Sequence, residues 1–331
     1  MLSGAAGVGS LAASGLARAA ADTGTVAGPE TVTSTIPRVR GTWVLHGSDS
    51  AADVRSWEKR FLEILARPGV TGLSIRAPWN ALEPTPNTFD LSIFEEAGRI
   101  ADAAGVPLAM RFVAGSETPT WRMGRGEQVT GTGMDGEPWT AVIPIPFLDD
   151  GSPNVTFEQG WGRLVDVMAL WAGANRVPFL HGGWWGDRWA ELFLDGLTGL
   201  EGYSYPAVRD AHLRLVDRLL ALSGPARRCE LPVSGSVGDA TIGQDITAHV
   251  AASPAWNWFY IQSTHIDEGT LLGGYAPPPR RGWQMLDAIG YDDWEKIYAE
   301  CMGAGEYLEV YAESFFAGNV DELYRQASLV H

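Results

Sequence analysis

Acidic and aromatic residues follow a short apolar run in the middle of the sequence. The run Val177–Leu180 is followed by Gly182–Gly183, and then by Trp184, Asp187 and Glu191. Glycine pairs often end strands because glycine adopts positive φ angles without strain. The pattern predicts a strand whose carboxyl end leads into a loop that carries carboxylates and tryptophans. Packing of the tryptophans and an ordinary surface ion pair would be the simpler explanation.

A second set of carboxylates lies near the C-terminus, in the run Tyr307–Ser314. Side chains alternate between the two faces of a strand. The apolar residues of this run fall on one face, whereas Glu309, Tyr311 and Glu313 fall on the other and are expected to point into a barrel. The same alternation on other runs places Arg76, Arg111 and Gln262 inside.

Two carboxylates on opposite sides of one opening could hydrolyse a glycosidic bond. That reaction needs one carboxylic acid as proton donor and a second carboxylate as nucleophile or base. We expect Glu191 to be the acid/base, with Asp187 as its rival, and Glu313 or Glu309 to be the second carboxylate. Flat aromatic rings suit the stacking of sugars.

Further polar and aromatic residues near the predicted strand ends are candidates for substrate binding. They are Arg76, Trp79, Arg111, Trp121, Trp184, Asp187, Gln262, His265, Gln284 and Tyr311. Buried charges cost several kcal/mol unless they pair. The inward arginines and glutamates could therefore form a purely structural ion network instead of a site.

Eight short apolar or alternating runs, separated mostly by helical patterns, must position these side chains. The runs are Gly41–Leu45, Gly72–Ala77, Val106–Val113, Val177–Leu180, Glu230–Gly235, Trp258–Thr264, Gly282–Leu286 and Tyr307–Ser314. Strand–helix units in regular alternation predict an α/β fold, a single-domain (β/α)8 TIM barrel, with its site at the carboxyl ends of the strands. The long segment from Ala114 to Thr156 is expected to shape the cleft.

Composition narrows the partners of this 331-residue chain. A net charge of −16 disfavours nucleic acid. No glycine-rich nucleotide motif or serine-hydrolase elbow occurs, and the six histidines lack metal-binding spacing, so no cofactor or metal is expected. Cys229 and Cys301 match no metal or redox spacing and are expected to be free, inert thiols. The oligomeric state is left open.

The first 37 residues differ from the rest. Residues 1–28 are rich in glycine and alanine and resemble the second half of an export signal without its basic start. We expect residues 1–37 to be a signal-like segment and linker, and residues 38–331 to be the barrel. The expected location is secreted or at the cell envelope, without stable membrane insertion.

The region from Leu73 to Phe112 resembles the second and third βα units of clan A glycoside hydrolases, with β-galactosidases of family 42 as the nearest kind. The shared elements are Trp79, Glu83–Pro84, Phe89–Asp90 and Gly105, and Pro119–Trp121 resembles a later segment. The resemblance implies a barrel glycosidase in which Glu83 is scaffold.

The chain departs from that family at both catalytic positions. Clan A enzymes carry an Asn-Glu pair at the end of strand four and a glutamate at the end of strand seven. Neither is present here, since strand seven offers Gln284. The strand count could be shifted by one, the second carboxylate could have moved to strand eight, or catalysis could be lost. We therefore expect a glycoside hydrolase, with a non-catalytic carbohydrate-binding barrel in a surface or assembly role as the alternative.

Overall fold

The computed structural model describes residues 39–132, 138–182, 197–232, 241–265, 280–285 and 293–330. The N-terminal segment 1–37 lies outside these ranges, so its export role and the domain boundary at residue 38 stay predictions.

Ten strands and nine helices are formed by the described residues. The strands are β1 (Gly41–Gly47), β2 (Val70–Pro78), β3 (Leu108–Val113), β4 (Gly126–Thr132), β5 (Pro138–Pro144), β6 (Phe179–His181), β7 (Arg228–Pro232), β8 (Phe259–His265), β9 (Arg281–Met285) and β10 (Tyr307–Tyr311). The helices are α1 (Ala51–Ser56), α2 (Glu58–Leu65), α3 (Trp79–Leu82), α4 (Ser92–Ala104), α5 (Val155–Ala174), α6 (Tyr205–Leu222), α7 (Thr241–Ala252), α8 (Trp294–Ala304) and α9 (Val320–Ser328).

Eight parallel strands close into a barrel in the order β1, β2, β3, β6, β7, β8, β9, β10, with β10 paired back to β1. The predicted (β/α)8 fold is confirmed. Each of the eight apolar runs overlaps one barrel strand, so the strand count is not shifted. Gln284 does lie on the seventh barrel strand.

Two regions differ from the expectation. The eighth barrel strand ends at Tyr311, and Ala312–Phe316 form a 3₁₀ turn that carries Glu313 just beyond the strand. The segment from Ala114 to Thr156 is not a plain loop, because β4 and β5 pair in it as an antiparallel hairpin. Val129, Thr130 and Thr132 in one arm and Thr140, Val142 and Ile143 in the other are β-branched residues, which favour strands.

The helices begin and end at recognisable capping residues. Ser50, Asn154 and Ser204 accept hydrogen bonds from backbone amides in the first turns of α1, α5 and α6. Gly105 ends α4 in the left-handed conformation, at φ 71°, which glycine adopts without strain. The apolar faces of these helices cover the outside of the barrel and form the main core.

Aromatic rings fill the amino-terminal end of the barrel interior. Phe179 packs edge-on against Trp43, Tyr260 and Tyr307, with ring centroids 5.5–5.7 Å apart. We call these four residues the aromatic layer. Each is at most 1% exposed. The described part of the barrel is therefore packed at this end, and a ligand site is expected at the carboxyl ends of the strands.

Gly282 makes room for the aromatic layer. A Cβ atom at this position would overlap the ring of Tyr307. We expect Gly282→Ala to lower the free energy of unfolding by about 1–3 kcal/mol through overpacking. Chemical denaturation measures this, and Gly303→Ala in α8 is the control, because nothing lies within 4 Å of its Cβ position. An equal effect of both substitutions would contradict the steric explanation.

Two smaller expectations concern the thiols and the membrane. Cys229 and Cys301 are buried and free, as predicted. Burial raises the pKa of Cys229 to about 11 and also raises the pKa of Cys301. Among the described residues, no helix is long and apolar enough to cross a membrane.

Candidate functional site

Six polar side chains lie inside the barrel above the aromatic layer. They come from six adjacent barrel strands, β3, β6, β7, β8, β9 and β10, and each is at most 1% exposed. We call Arg111, His181, Glu230, Gln262, Gln284 and Glu309 the polar layer. Strand alternation explains its composition. Alternate side chains of a barrel strand point inward, and each member of the polar layer lies on the inward-facing side of its strand.

Arg111 is the centre of the polar layer. Its Nη1 contacts Glu309, and its Nη2 donates to Gln284 Oε1 at 2.9 Å and to Gln262 Oε1 at 3.1 Å. Gln262 Nε2 in turn donates to Glu309 Oε2 at 2.6 Å. The Arg111–Glu309 charges are thus paired and hydrogen-bonded, as a buried ion pair requires.

His181 and Glu230 form a second buried pair beside Arg111. Arg111 Nη2 lies 3.1 Å from His181 Nε2, and His181 Nδ1 contacts Glu230 Oε1. Since the guanidinium can only donate, we assign the imidazole proton to Nδ1, which faces Glu230. Burial, with the charges of Arg111 and Arg76, holds the pKa of His181 well below its usual value. Burial and the charge of Glu309 raise the pKa of Glu230 well above its usual value. Burial therefore favours the neutral form of both groups.

This neutral pair gives a test of the polar layer. A carboxyl whose pKa rises on folding contributes stability that is fully present below its unfolded pKa, near 4.5, and is lost as the pH rises. We therefore expect the stability of Glu230→Gln, relative to the parent, to increase with pH above 4.5 by about 1.4 kcal/mol per unit. Urea unfolding at several pH values measures it. The exposed substitution Glu295→Gln should show no such trend, and a pH-independent difference for Glu230→Gln would refute the buried neutral carboxyl.

The donor types of His181, Glu230 and Glu309 would suit a metal ion, and their ligand atoms lie within 4.8 Å of one another. However, Arg111 contacts both His181 Nε2 and Glu309, and His181 Nδ1 contacts Glu230 directly. An ion would have to enter beside a guanidinium and between groups already in contact. We interpret the cluster as a hydrogen-bonded layer.

Tyr311 links the polar layer to the barrel mouth. Gln284 Nε2 donates to the Tyr311 hydroxyl at 3.2 Å, and Arg76 Nη1 approaches the same oxygen at 3.3 Å. Arg76 also lies 5.7 Å from the centre of the Tyr311 ring. Both residues therefore occupy the level where substrate would arrive.

A cleft of about 500 Å³ opens beside Arg76 at the carboxyl ends of β1, β2 and β3. It is lined by Gly47, Ser48, Asp49, Asp53, Arg76, Pro78, Val113 and Glu117. Asn80 Nδ2 donates to Glu117 Oε2 at 3.1 Å and so holds that carboxylate at the rim. Three carboxylates and one guanidinium thus line a recess at the level expected for a barrel site.

Glu313 stands at the mouth with half of its side chain exposed. Burial alone would raise its pKa, but the close contact with His46 and the charges of His46 and Arg76 outweigh burial and lower it. Its Oε1 lies 3.5 Å from His46 Nδ1. An ionised carboxylate of this kind suits a nucleophile or base.

Glu309 is placed very differently from Glu313. It is 1% exposed and bonded to Arg111 and Gln262 beneath the mouth. For Glu309 and Arg111, the structural ion network considered from the sequence describes the arrangement that is observed.

The candidate tryptophans separate into core and surface residues. Trp79 is fully buried against Phe157, and its Nε1 donates to Glu83 Oε2 at 3.1 Å. Its assignment to substrate binding needs correction, because neither face of the ring is open to a ligand. Trp121, in a 3₁₀ turn after β3, is 38% exposed and available for stacking.

Glu83 is a scaffold residue, as the family resemblance implies. It is fully buried and accepts hydrogen bonds from Trp79, the Asn87 amide and Arg122. Burial would raise its pKa, but these hydrogen bonds, of which those from Arg122 are the strongest influence, lower it. The ion pair ties the turn that carries Trp121 to the loop after β2.

Four candidates cannot be placed in the site. Trp184, Asp187 and Glu191 lie outside the described residues, and His265 ends β8 with its side chain outside the described part. Their roles stay predictions. Glu230 and His46 were not assigned from the sequence. The alternation in Arg228–Pro232, with Cys229 and Leu231 facing outward, would have identified Glu230 as inward.

Comparisons with known proteins find a similar fold among solved structures but no similar sequence. No protein family and no curated protein matches the sequence. Among solved structures, the catalytic domain of a β-amylase from Paenibacillus polymyxa is similar over 88% of this chain and 97% of its own, with 10% identity and a TM-score of 0.51. The likeness is one of fold.

Two further solved structures align at lower TM-scores. An endo-β-1,4-xylanase of glycoside hydrolase family 10 from Gloeophyllum trabeum has a TM-score of 0.45 and 10% identity, and covers 82% of this chain and 84% of its own. An exo-β-1,4-mannosidase from Opitutaceae bacterium strain TAV5 has a TM-score of 0.48 and 11% identity, with 89% and 56% covered.

Proposed function

We propose that this protein hydrolyses glycosidic bonds at the carboxyl-terminal mouth of its barrel. The observation that carries the proposal is Glu313, an ionised carboxylate at the mouth, near the Arg76 side chain that lines the acidic cleft. The fold shared with a β-amylase catalytic domain supports it. The sequence resemblance to clan A glycosidases around β2 and β3 points the same way.

Glu313 is the better candidate for the second carboxylate than Glu309. A nucleophile or base must reach the sugar, and Glu309 is 1% exposed and bonded to Arg111. Glu313 is half exposed and its pKa is lowered, so it is charged when substrate arrives. The acid/base role is assigned to Glu191 from the sequence alone.

Arg76, Tyr311 and Trp121 are proposed to bind substrate. The Arg76 guanidinium and the Tyr311 hydroxyl offer hydrogen bonds at the mouth, while Trp121 offers an exposed ring. Aromatic stacking combined with a few placed polar groups is typical of small-ligand sites. Arg111, Gln262 and Gln284 support these residues from below instead of touching substrate.

A non-catalytic carbohydrate-binding barrel is the second candidate, and one observation favours it. In the described ranges, Glu230 is the carboxyl group with a raised pKa, and it is fully buried. A general acid at the mouth must therefore come from elsewhere in the chain, as Glu191 would.

Hydrolysis of a broad panel of oligo- and polysaccharides decides between the two candidates. An enzyme releases new reducing ends, and both Glu191→Gln and Glu313→Gln should abolish this release while glycan binding persists. Glycan binding by the parent protein with no turnover on any substrate would favour the binding barrel. Neither turnover nor binding would refute both.

A further inference from the structure

His46, near the end of β1, is buried beside the mouth. It is 5% exposed, and its ring packs on Trp57 and Phe61 with centroids 4.6 and 5.3 Å apart. These rings, one between α1 and α2 and one within α2, hold the imidazole in one orientation. Its two nitrogens therefore face fixed directions.

The two nitrogens of His46 face two different carboxylates. Nε2 lies 3.3 Å from Asp53 Oδ2, and Nδ1 lies 3.5 Å from Glu313 Oε1. Asp53 belongs to the first turn of α1, where its amide is capped by Ser50. A rigid chain of contacts thus runs from α1 through the imidazole to the carboxylate at the mouth.

We propose that His46 is the positioning residue of Glu313: held by Asp53 and by two aromatic rings, it keeps the Glu313 carboxylate in place and charged at the barrel mouth. This inference rests on the proposed function, because it assigns a role in the reaction. A functional side chain must be held in its productive geometry by packing and by supporting polar contacts, and His46 supplies such support to Glu313.

The charged groups around His46 come from four elements. Asp53 approaches from α1, and Glu313 from the turn after β10. Arg76 of β2 acts on Glu313 through its charge, and Arg60 of α2 lies 4.6 Å from the centre of the Trp57 ring. Removal of His46 leaves Arg76 as the described cation that lowers the pKa of Glu313, and we expect that pKa to rise.

His46→Phe tests the inference, since phenylalanine keeps an aromatic ring against Trp57 and Phe61 but bonds to neither carboxylate. We expect kcat to fall roughly 10–100-fold with little change in KM, and the acid limb of the pH–rate profile to move to higher pH. The control is His249→Phe, which breaks a histidine–aspartate contact of the same kind with Asp217 on the outer helices. It should leave kcat and the pH profile unchanged.

A readout without turnover separates this inference from the proposed function. The Glu313 carboxyl is titrated by ¹³C NMR in the parent and in His46→Phe, and its pKa should be higher in the variant. Asp53→Asn should change both readouts in the same direction, and it replaces His46→Phe if that variant does not fold. An unchanged Glu313 titration overturns the inference whether or not the protein is an enzyme. Full activity of Glu313→Gln would instead refute the catalytic role of Glu313, and with it the positioning role.

Discussion

Arg111→Met is expected to lower the free energy of unfolding by about 3–5 kcal/mol, the cost of leaving one charge of a buried pair without its partner. Glu309 is 1% exposed and keeps only Gln262 as a described donor once the guanidinium is removed. Gln284 and Gln262 also lose the donor to their Oε1 atoms. Methionine fills much of the volume of the arginine side chain. The loss of stability therefore comes from the missing charge and hydrogen bonds more than from a cavity.

Denaturant unfolding of Arg111→Met, Glu309→Leu and the double variant measures this loss. Since an apolar replacement of both partners can be neutral, the double variant should be more stable than Arg111→Met alone. Arg325→Met is the control, because it breaks a surface pair with Glu322 and should cost less than about 1 kcal/mol. A loss for Arg111→Met no larger than that of the control would contradict the central role of Arg111.

Glu313→Gln is expected to reduce kcat/KM by a factor of about 10²–10⁴ on any glycan that the parent hydrolyses. The amide keeps the shape of the side chain and removes the charge that a nucleophile or base needs. Because the side chain is half exposed, stability should change by less than about 0.5 kcal/mol. Because its pKa is lowered, the acid limb that Glu313 gives to the parent's pH–rate profile should lie below pH 4.5.

Glu295→Gln on α8 is the matched control, because its exposed carboxylate contacts Arg325 and does not line the cleft. It should retain the parent's rate. Retention of full activity by Glu313→Gln would show that another carboxylate is the nucleophile or base. The carboxylates of the cleft, Asp49, Asp53 and Glu117, are the next to test.

The barrel could be predicted from the sequence because its signals are local and repeated. Eight apolar runs and the caps of the helices each depend on a few neighbouring residues. Strand alternation also predicted the inward direction of Arg111, Gln262 and Glu309 correctly. It failed for Glu313, because the pattern continues for three residues past Tyr311 while the backbone turns into a 3₁₀ helix.

Strand alternation predicts which side chains point into the barrel, but not how far each one lies below the mouth. This explains the remaining errors about the site. Glu309 and Glu313 are four residues apart on the same alternating pattern, yet one lies beneath Tyr311 and the other at the mouth. Trp79 follows a strand end, as site residues do. Its ring is nevertheless buried in the core, where it donates a hydrogen bond to Glu83 and packs against Phe157. His46 gains its partners from α1 and from the far end of the chain, which no local pattern links.

The ion pair between Glu83 and Arg122 has a consequence for ligand affinity. Arg122 adjoins Trp121, and its guanidinium is fastened to Glu83 and Asn87. If Trp121 stacks on a sugar as we propose, its backbone is already anchored before binding, so the ring loses less freedom and more of the stacking energy appears as affinity. The affinity of this surface would then depend on Glu83, a fully buried carboxylate that lies out of reach of any ligand.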